Sequence, residues 1–153
     1  MSFTNDVHCE NDEKSNDLHP VGRVLGIAGC TNSGKTTMAE ILTKMLIEEN
    51  FTVRVIHQDE FFHAKEKVEK FCCNNKDQQG FFYNYDCKSA IDHEKLIYSI
   101  KTNTYYYNFV IVEGNMLTEW TDVIELCDRV IFLMLDQVLK EFSCKCRRAL
   151  LVI

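Results

Sequence analysis

Eight consecutive residues, Gly29-Cys30-Thr31-Asn32-Ser33-Gly34-Lys35-Thr36, constrain this chain more than any other stretch. They fit the spacing G-x-x-x-x-G-K-[ST]. A triphosphate needs many donors held close, with no side chains in the way. Glycines let the backbone curl so that successive N–H groups point inward. A helix that follows adds the positive end of its dipole. The lysine then reaches the β/γ-phosphates, and the hydroxyl after it can ligate Mg²⁺. The same spacing also arises in a plain glycine turn before a helix, with the lysine an ordinary solvated base. The flanks favour the phosphate cradle. Arg23–Ala28 (RVLGIA) is an apolar, β-branched run that reads as a buried strand. From Thr36 onward, Met38, Ile41, Leu42, Met45 and Leu46 recur at helical spacing, and Asn50 is a plausible stop.

The rest of the chain repeats this strand-then-helix pattern. Phe51–His57 (FTVRVIH) reads as a second strand, Phe109–Val112 (FVIV) as a third and Arg129–Leu135 (RVIFLML) as a fourth. Asp92 is placed to cap a helix carrying Leu96, Ile97 and Ile100. Val138–Arg148 reads as a further helix. Residues Lys65 to Asp86 hold few aliphatics and read as a long loop, with a short helical turn near its start. Alternation of this kind implies an α/β fold, a parallel sheet with helices on both faces. In such sheets ligands bind at the carboxyl ends of the strands. Candidate residues should therefore follow strands.

Two carboxylates do so. Asp59 follows the second strand, where it can accept a proton from an attacking hydroxyl and contact a magnesium shell. Glu113 ends the third strand (FVIVEG), a position from which a carboxylate supports Mg²⁺ or its waters. Each is also readable as a plain turn or cap residue. Tyr85-Asp86 in the long loop pairs an aromatic with an acid, suited to a flat ring and sugar hydroxyls. Arg147 and Arg148 end the last helical stretch, either as a solvated pair favoured by the dipole or as phosphate or substrate contacts.

Composition narrows the class. A chain of 153 residues with 46% hydrophobic content suits one domain with a real core. Its net charge of -6 argues against nucleic acid or an anionic membrane surface as the main partner. No apolar run approaches the roughly 18 residues of a membrane span, and Met1 to Pro20 is a polar leader without a signal-peptide pattern. The expected location is the cytoplasm. The 8 cysteines contain no C-x-x-C pair, so free thiols are expected there. Cys30, inside the loop, is the thiol to watch for reactivity. The absence of an N-K-x-D motif disfavours a guanine-reading switch.

Taken together, GCTNSGKTT at Gly29–Thr37, QDEFF at Gln58–Phe62, YD at Tyr85-Asp86 and VIVEG at Val110–Gly114 resemble nicotinamide riboside kinase, within the uridine-kinase-like P-loop kinases. The resemblance covers roughly residues 23 to 148. It implies that Gly29, Cys30, Thr31, Asn32, Ser33, Gly34, Lys35, Thr36 and Thr37 hold ATP phosphates, with Thr36 on Mg²⁺. It implies that Asp59 is the general base for the ribosyl 5′-hydroxyl and a magnesium-shell ligand, and that Asp59, Glu60, Phe61 and Phe62 border the substrate. Tyr85 would stack on the nicotinamide ring and Asp86 would hold ribose hydroxyls. By a looser match Arg147 would face ATP and Arg148 the nucleoside. The alternatives are a kinase for another nucleoside such as uridine, and a non-catalytic ATP-binding fragment.

The sequence also departs from that family. Glu60 stands where a second Asp is usual, and after Arg148 the chain runs Ala149-Leu150-Leu151-Val152-Ile153 in place of a lid. The expected organisation is a leader over residues 1–20 and a P-loop kinase domain over 21–153 that lacks the usual lid and last strand. An open sheet edge beside Val130–Leu135 and weak activity follow from that expectation, unless the apolar tail covers the edge.

Overall fold

The computed structural model describes residues 22–75, 78–134 and 148–150. The strands are β1 (Arg23–Gly29), β2 (Val53–His57), β3 (Lys70–Asn75), β4 (Gln78–Tyr83), β5 (Phe109–Gly114), β6 (Arg129–Met134) and β7 (Arg148–Leu150). The helices are α1 (Lys35–Glu48), α2 (His93–Asn103) and α3 (Thr121–Glu125).

The main sheet has the order β2-β5-β1-β6-β7. Its first four strands are parallel, and β7 joins antiparallel. Side chains alternate between its two faces, as the pleat requires. On one face Ile27, Ile111 and Leu133 pack with Ala39 of α1, and Met38, Leu42 and Leu46 complete that layer. On the other, Val24, Ala28, Ile56, Val110 and Val112 meet Leu96 and Ile100 of α2 and Val123 of α3. The expected parallel sheet with helices on both faces is what forms. Within α1 the stripe is narrower than its periodicity suggested: Ile41 is 51% and Met45 57% exposed.

The four parallel strands fall where the apolar runs predicted them. Asn50, with φ 65°, ends the α1 segment in the left-handed region that asparagine tolerates. Asp92 caps α2 by accepting the Lys95 N–H at 3.1 Å. Two expectations change. The stretch from Lys65 to Asp86 is not one long loop: a 3₁₀ turn (Lys65–Lys67) leads into the hairpin of β3 and β4, a separate two-stranded sheet. And Arg148 does not end a helix. It opens β7, where Met134 pairs with Arg148, Leu133 with Ala149 and Phe132 with Leu150. Arg148–Leu150 therefore pair along the edge of β6 that was expected to stay open. Arg147, and the rest of the expected helix before it, lie outside the described residues.

Candidate nucleotide site

The cradle forms between β1 and α1. Gly29 has φ 148° and Gly34 φ 95°, both in the region that favours glycine, and Asn32 between them has φ 63°. The curl is closed by the Ser33 N–H, which donates to the Cys30 carbonyl at 3.1 Å. Cys30, Thr31 and Asn32 are exposed, whereas Ser33 tucks inward with its hydroxyl buried. Lys35 turns back over the loop and donates from Nζ to the Cys30 carbonyl at 2.8 Å. A phosphate oxygen in the loop can take that donor in exchange. Thr36 and Thr37 stand exposed on the first turn of α1.

Behind Thr36 lies Glu113, only 6% exposed. Thr36 Oγ1 donates to Glu113 Oε1 at 3.2 Å. His57 Nδ1 lies 2.7 Å from the same oxygen. Strand register produces this cluster. Glu113 pairs with Ile27 of β1 on one side and with His57 of β2 on the other. Its side chain falls on the face of Ile111, the face that α1 covers. His57 shares that face with Val53 and Val55. The first turn of α1 thus sits over the carboxyl ends of β1, β5 and β2.

The next residue, Gln58, is fully buried. Its Oε1 accepts the Met116 N–H at 3.0 Å, tying the end of β2 to the chain after β5. It crosses directly over Gly114, where any Cβ would overlap the Gln58 side chain. That close approach explains the glycine of the VIVEG run. Sequence reasoning missed both His57 and Gln58 as site residues. Position at a strand end was the available signal, and only the neighbouring strand shows what they meet.

Asp59 and Glu60 sit in the 3₁₀ turn Gln58–Phe61 that follows β2, both exposed. Phe61 is 7% exposed and packs in the core with Ile56 and Ile91. Its carbonyl accepts the Asp92 N–H at 2.7 Å and so anchors the turn to α2. Phe62 is half-buried and meets Tyr85 edge-on, ring centroids 5.1 Å apart. Tyr83 tilts toward Tyr85 at 6.4 Å, with Lys65 and Lys70 over its ring at 5.4 and 5.5 Å. Asp86 is exposed and donates its N–H to Asn84 Oδ1 at 3.2 Å. The structure thus gathers Lys35, Thr36, Glu113 and His57 in one group and Phe62 and Tyr85 in another. Of Arg148 only the strand pairing is described.

The donor set suits a hard cation. Thr36 offers a hydroxyl and Glu113 a carboxylate, and no group of three or more His, Cys, Asp or Glu converges among the described residues. Mg²⁺ matches such a set, because it keeps waters and takes phosphate oxygens in place of a full protein cage. Elsewhere, Gly22, Arg23, Ile100, Lys101, Thr104 and Asp128 frame a cavity of about 570 Å³. It lies at the amino ends of the strands, opposite the cradle.

Fold and cradle together define a P-loop NTPase-type α/β protein. Residues 24–124 match the Phosphoribulokinase / Uridine kinase family, and the chain belongs to that family. It is similar to human nicotinamide riboside kinase 1, 39% identical over 77 residues, which is 50% of this chain and 33% of the human protein. It is also similar to uridine kinase-like protein 3 of Arabidopsis thaliana, 32% identical over 78 residues, 51% of this chain and 15% of that one. The matched stretch thus spans a third or less of these relatives. Among solved structures, a possible uridine kinase from Bacillus stearothermophilus superposes with a TM-score of 0.54 at 22% identity, over 78% of this chain and 74% of that chain. At that identity the likeness speaks to the fold. No helix among the described residues is long and apolar enough to cross a membrane.

Proposed function

We propose that this chain carries the nucleotide and acceptor sites of a kinase. It would transfer the γ-phosphoryl of ATP to the 5′-hydroxyl of nicotinamide riboside, giving nicotinamide mononucleotide and ADP in the cytoplasm. The observation that carries the reading is the arrangement of two groups at the carboxyl end of one sheet: Lys35, Thr36 and Glu113 for a phosphate chain, and Tyr85 with Phe62 for a flat ring. Similarity to nicotinamide riboside kinase 1 supports the choice of ring.

In this reading Gly29–Thr37 bind the ATP phosphates through backbone N–H groups, and Lys35 neutralises β/γ charge. Thr36, Glu113 and Asp59 would hold Mg²⁺, which would offset the charge of the phosphates. Asp59 accepts the proton of the 5′-hydroxyl as its oxygen attacks phosphorus. Glu60 and Phe62 border the nucleoside, Tyr85 stacks on its base, and Asp86 accepts from ribose hydroxyls. Arg147 serves ATP and Arg148 the nucleoside. No nucleic-acid or membrane partner enters the reaction. Catalysis comes mostly from positioning and charge neutralisation.

Uridine is the second reading, favoured by the family itself and by the Arabidopsis relative. The test is ADP production with MgATP and either nicotinamide riboside or uridine, alongside a direct ATP titration. Faster turnover of nicotinamide riboside is the expected result. Preference for uridine would replace the substrate, and ATP binding without turnover of either would reduce the chain to a nucleotide-binding unit.

A further inference from the structure

His57 contributes something that neither the phosphate cradle nor the acceptor loop requires. Glu113 Oε1 receives two partners, His57 at 2.7 Å and Thr36 at 3.2 Å. A carbonyl-type oxygen has two lone pairs, so both are used. The carboxylate is nearly buried, at 6% exposure, while His57 is half-open at the rim of the site. A buried carboxylate without partners is costly, and it would turn toward whatever donor it could find. With His57 in place the Glu113 group has one orientation. Oε1 faces Thr36, and the Thr36 hydrogen is committed to it. The lone pairs of the Thr36 oxygen are then directed away from Glu113, free for a cation.

We infer that His57 is a positioning residue: through its Nδ1–H it fixes Glu113, which orients the Thr36 hydroxyl, and so it sets the affinity of the cradle for a divalent cation with nucleotide. The inference rests on the proposed nucleotide reading. With the Glu113 carboxylate as acceptor, Nδ1 is the donor of this contact, so a neutral His57 is held as its Nδ1–H tautomer. Partners one step removed from a cation typically change its affinity about 10- to 100-fold when lost.

Binding, not turnover, tests this. ATP affinity is measured by calorimetry across a Mg²⁺ series for the wild type and for His57→Ala, His57→Asn and His57→Gln. The Asn amide nitrogen sits where Nδ1 sits; that of Gln sits where Nε2 sits. The expected result is that His57→Ala and His57→Gln raise the Mg²⁺ concentration for half-maximal ATP binding roughly 10-fold. Affinity without Mg²⁺ should stay within about 2-fold, and His57→Asn should restore most of the loss. Equal Mg²⁺ dependence in all four proteins overturns the inference and leaves the nucleotide reading standing. So does an equal loss in Asn and Gln, or a loss of Mg²⁺-free affinity of the same size. If His57→Ala does not fold, the Asn–Gln comparison decides alone. A wild type that binds no ATP at any Mg²⁺ concentration overturns the nucleotide reading, and this inference with it.

Discussion

Phe62 and Tyr85 meet edge to face, their ring centroids 5.1 Å apart and their planes at 78°. They come from different parts of the chain, the turn after β2 and the loop after β4. The contact joins that turn to the segment leaving the hairpin. In the proposed reading a face of the Tyr85 ring takes the flat base.

Tyr85→Ala should therefore raise KM for the nucleoside more than for ATP. Loss of an aromatic pair of about 0.5–1.5 kcal/mol corresponds to roughly 2- to 13-fold. Steady-state kinetics with each substrate varied in turn checks this. An equal rise in both KM values would make Tyr85 a packing residue.

Lys35→Ala should abolish most ATP-dependent turnover and weaken ATP binding, with an unchanged melting temperature. Lys35 makes its hydrogen bond to an exposed loop carbonyl, so little folded-state packing depends on it. Turnover at the wild-type level would remove the cradle assignment.

For Asp59→Asn the expected loss is roughly 10²-fold or more in kcat, from a missing base and cation contact. Asp59 is exposed, so stability should change by no more than about 0.5 kcal/mol. Wild-type kcat would show a turn residue without a chemical role.

Asp128 yields a pH prediction. The Val24 N–H donates to its carboxylate at 2.7 Å, and Arg23 donates to the other oxygen at 2.7 Å. The backbone N–H first, then Arg23, hold its carboxyl below the usual carboxylate range. A lowered folded value stabilises the fold above the unfolded value of about 3.9, and this is lost as pH falls through the folded value. Asp128→Asn should thus lower Tm at pH 7 by about 2–4 °C, allowing for solvent screening. The gap should close as pH drops below about 3.9. Melts at several pH values settle it, and a gap that widens in acid would refute it.

Thiol chemistry should separate two cysteines. Burial, and then Asp128, push the Cys127 thiol up to about 11. At pH 8 about one in a thousand of its molecules is thiolate. Cys30 is exposed on the loop. Iodoacetamide should label Cys30 well before Cys127, and MgATP should protect Cys30. Peptide mass spectrometry reads both. Faster labelling of Cys127 would contradict the burial described.

Sequence patterns located β1, β2, β5 and β6 because each is a short apolar run that contributes side chains to the cores on both faces of the sheet. The Gly29–Thr36 loop was legible because glycine spacing reports backbone geometry directly. The β3–β4 hairpin was not: Phe71, Phe81 and Phe82 are exposed, so no buried face imposes an apolar alternation. Phe61 and Phe62 are adjacent and chemically alike, yet one enters the core and the other faces Tyr85. That split is set by the 3₁₀ turn, not by residue type. His57 could not be paired with Glu113 from sequence, because 56 positions separate them and only strand order makes them neighbours.

That strand order works as a ruler. β1 and β2 never touch; β5 lies between them. Neighbouring strands are about 4.8 Å apart, so β1 and β2 stand roughly 10 Å from each other. In the proposed reading the backbone spacing of β1 and β2 separates the anchors of the two ends of the reaction. Enlarging or shrinking the acceptor would have to be accommodated in the turn at Asp59 and the loop at Tyr85, leaving the β1 side untouched. A library confined to those two segments could therefore alter which alcohol is accepted while the donor end stays constant.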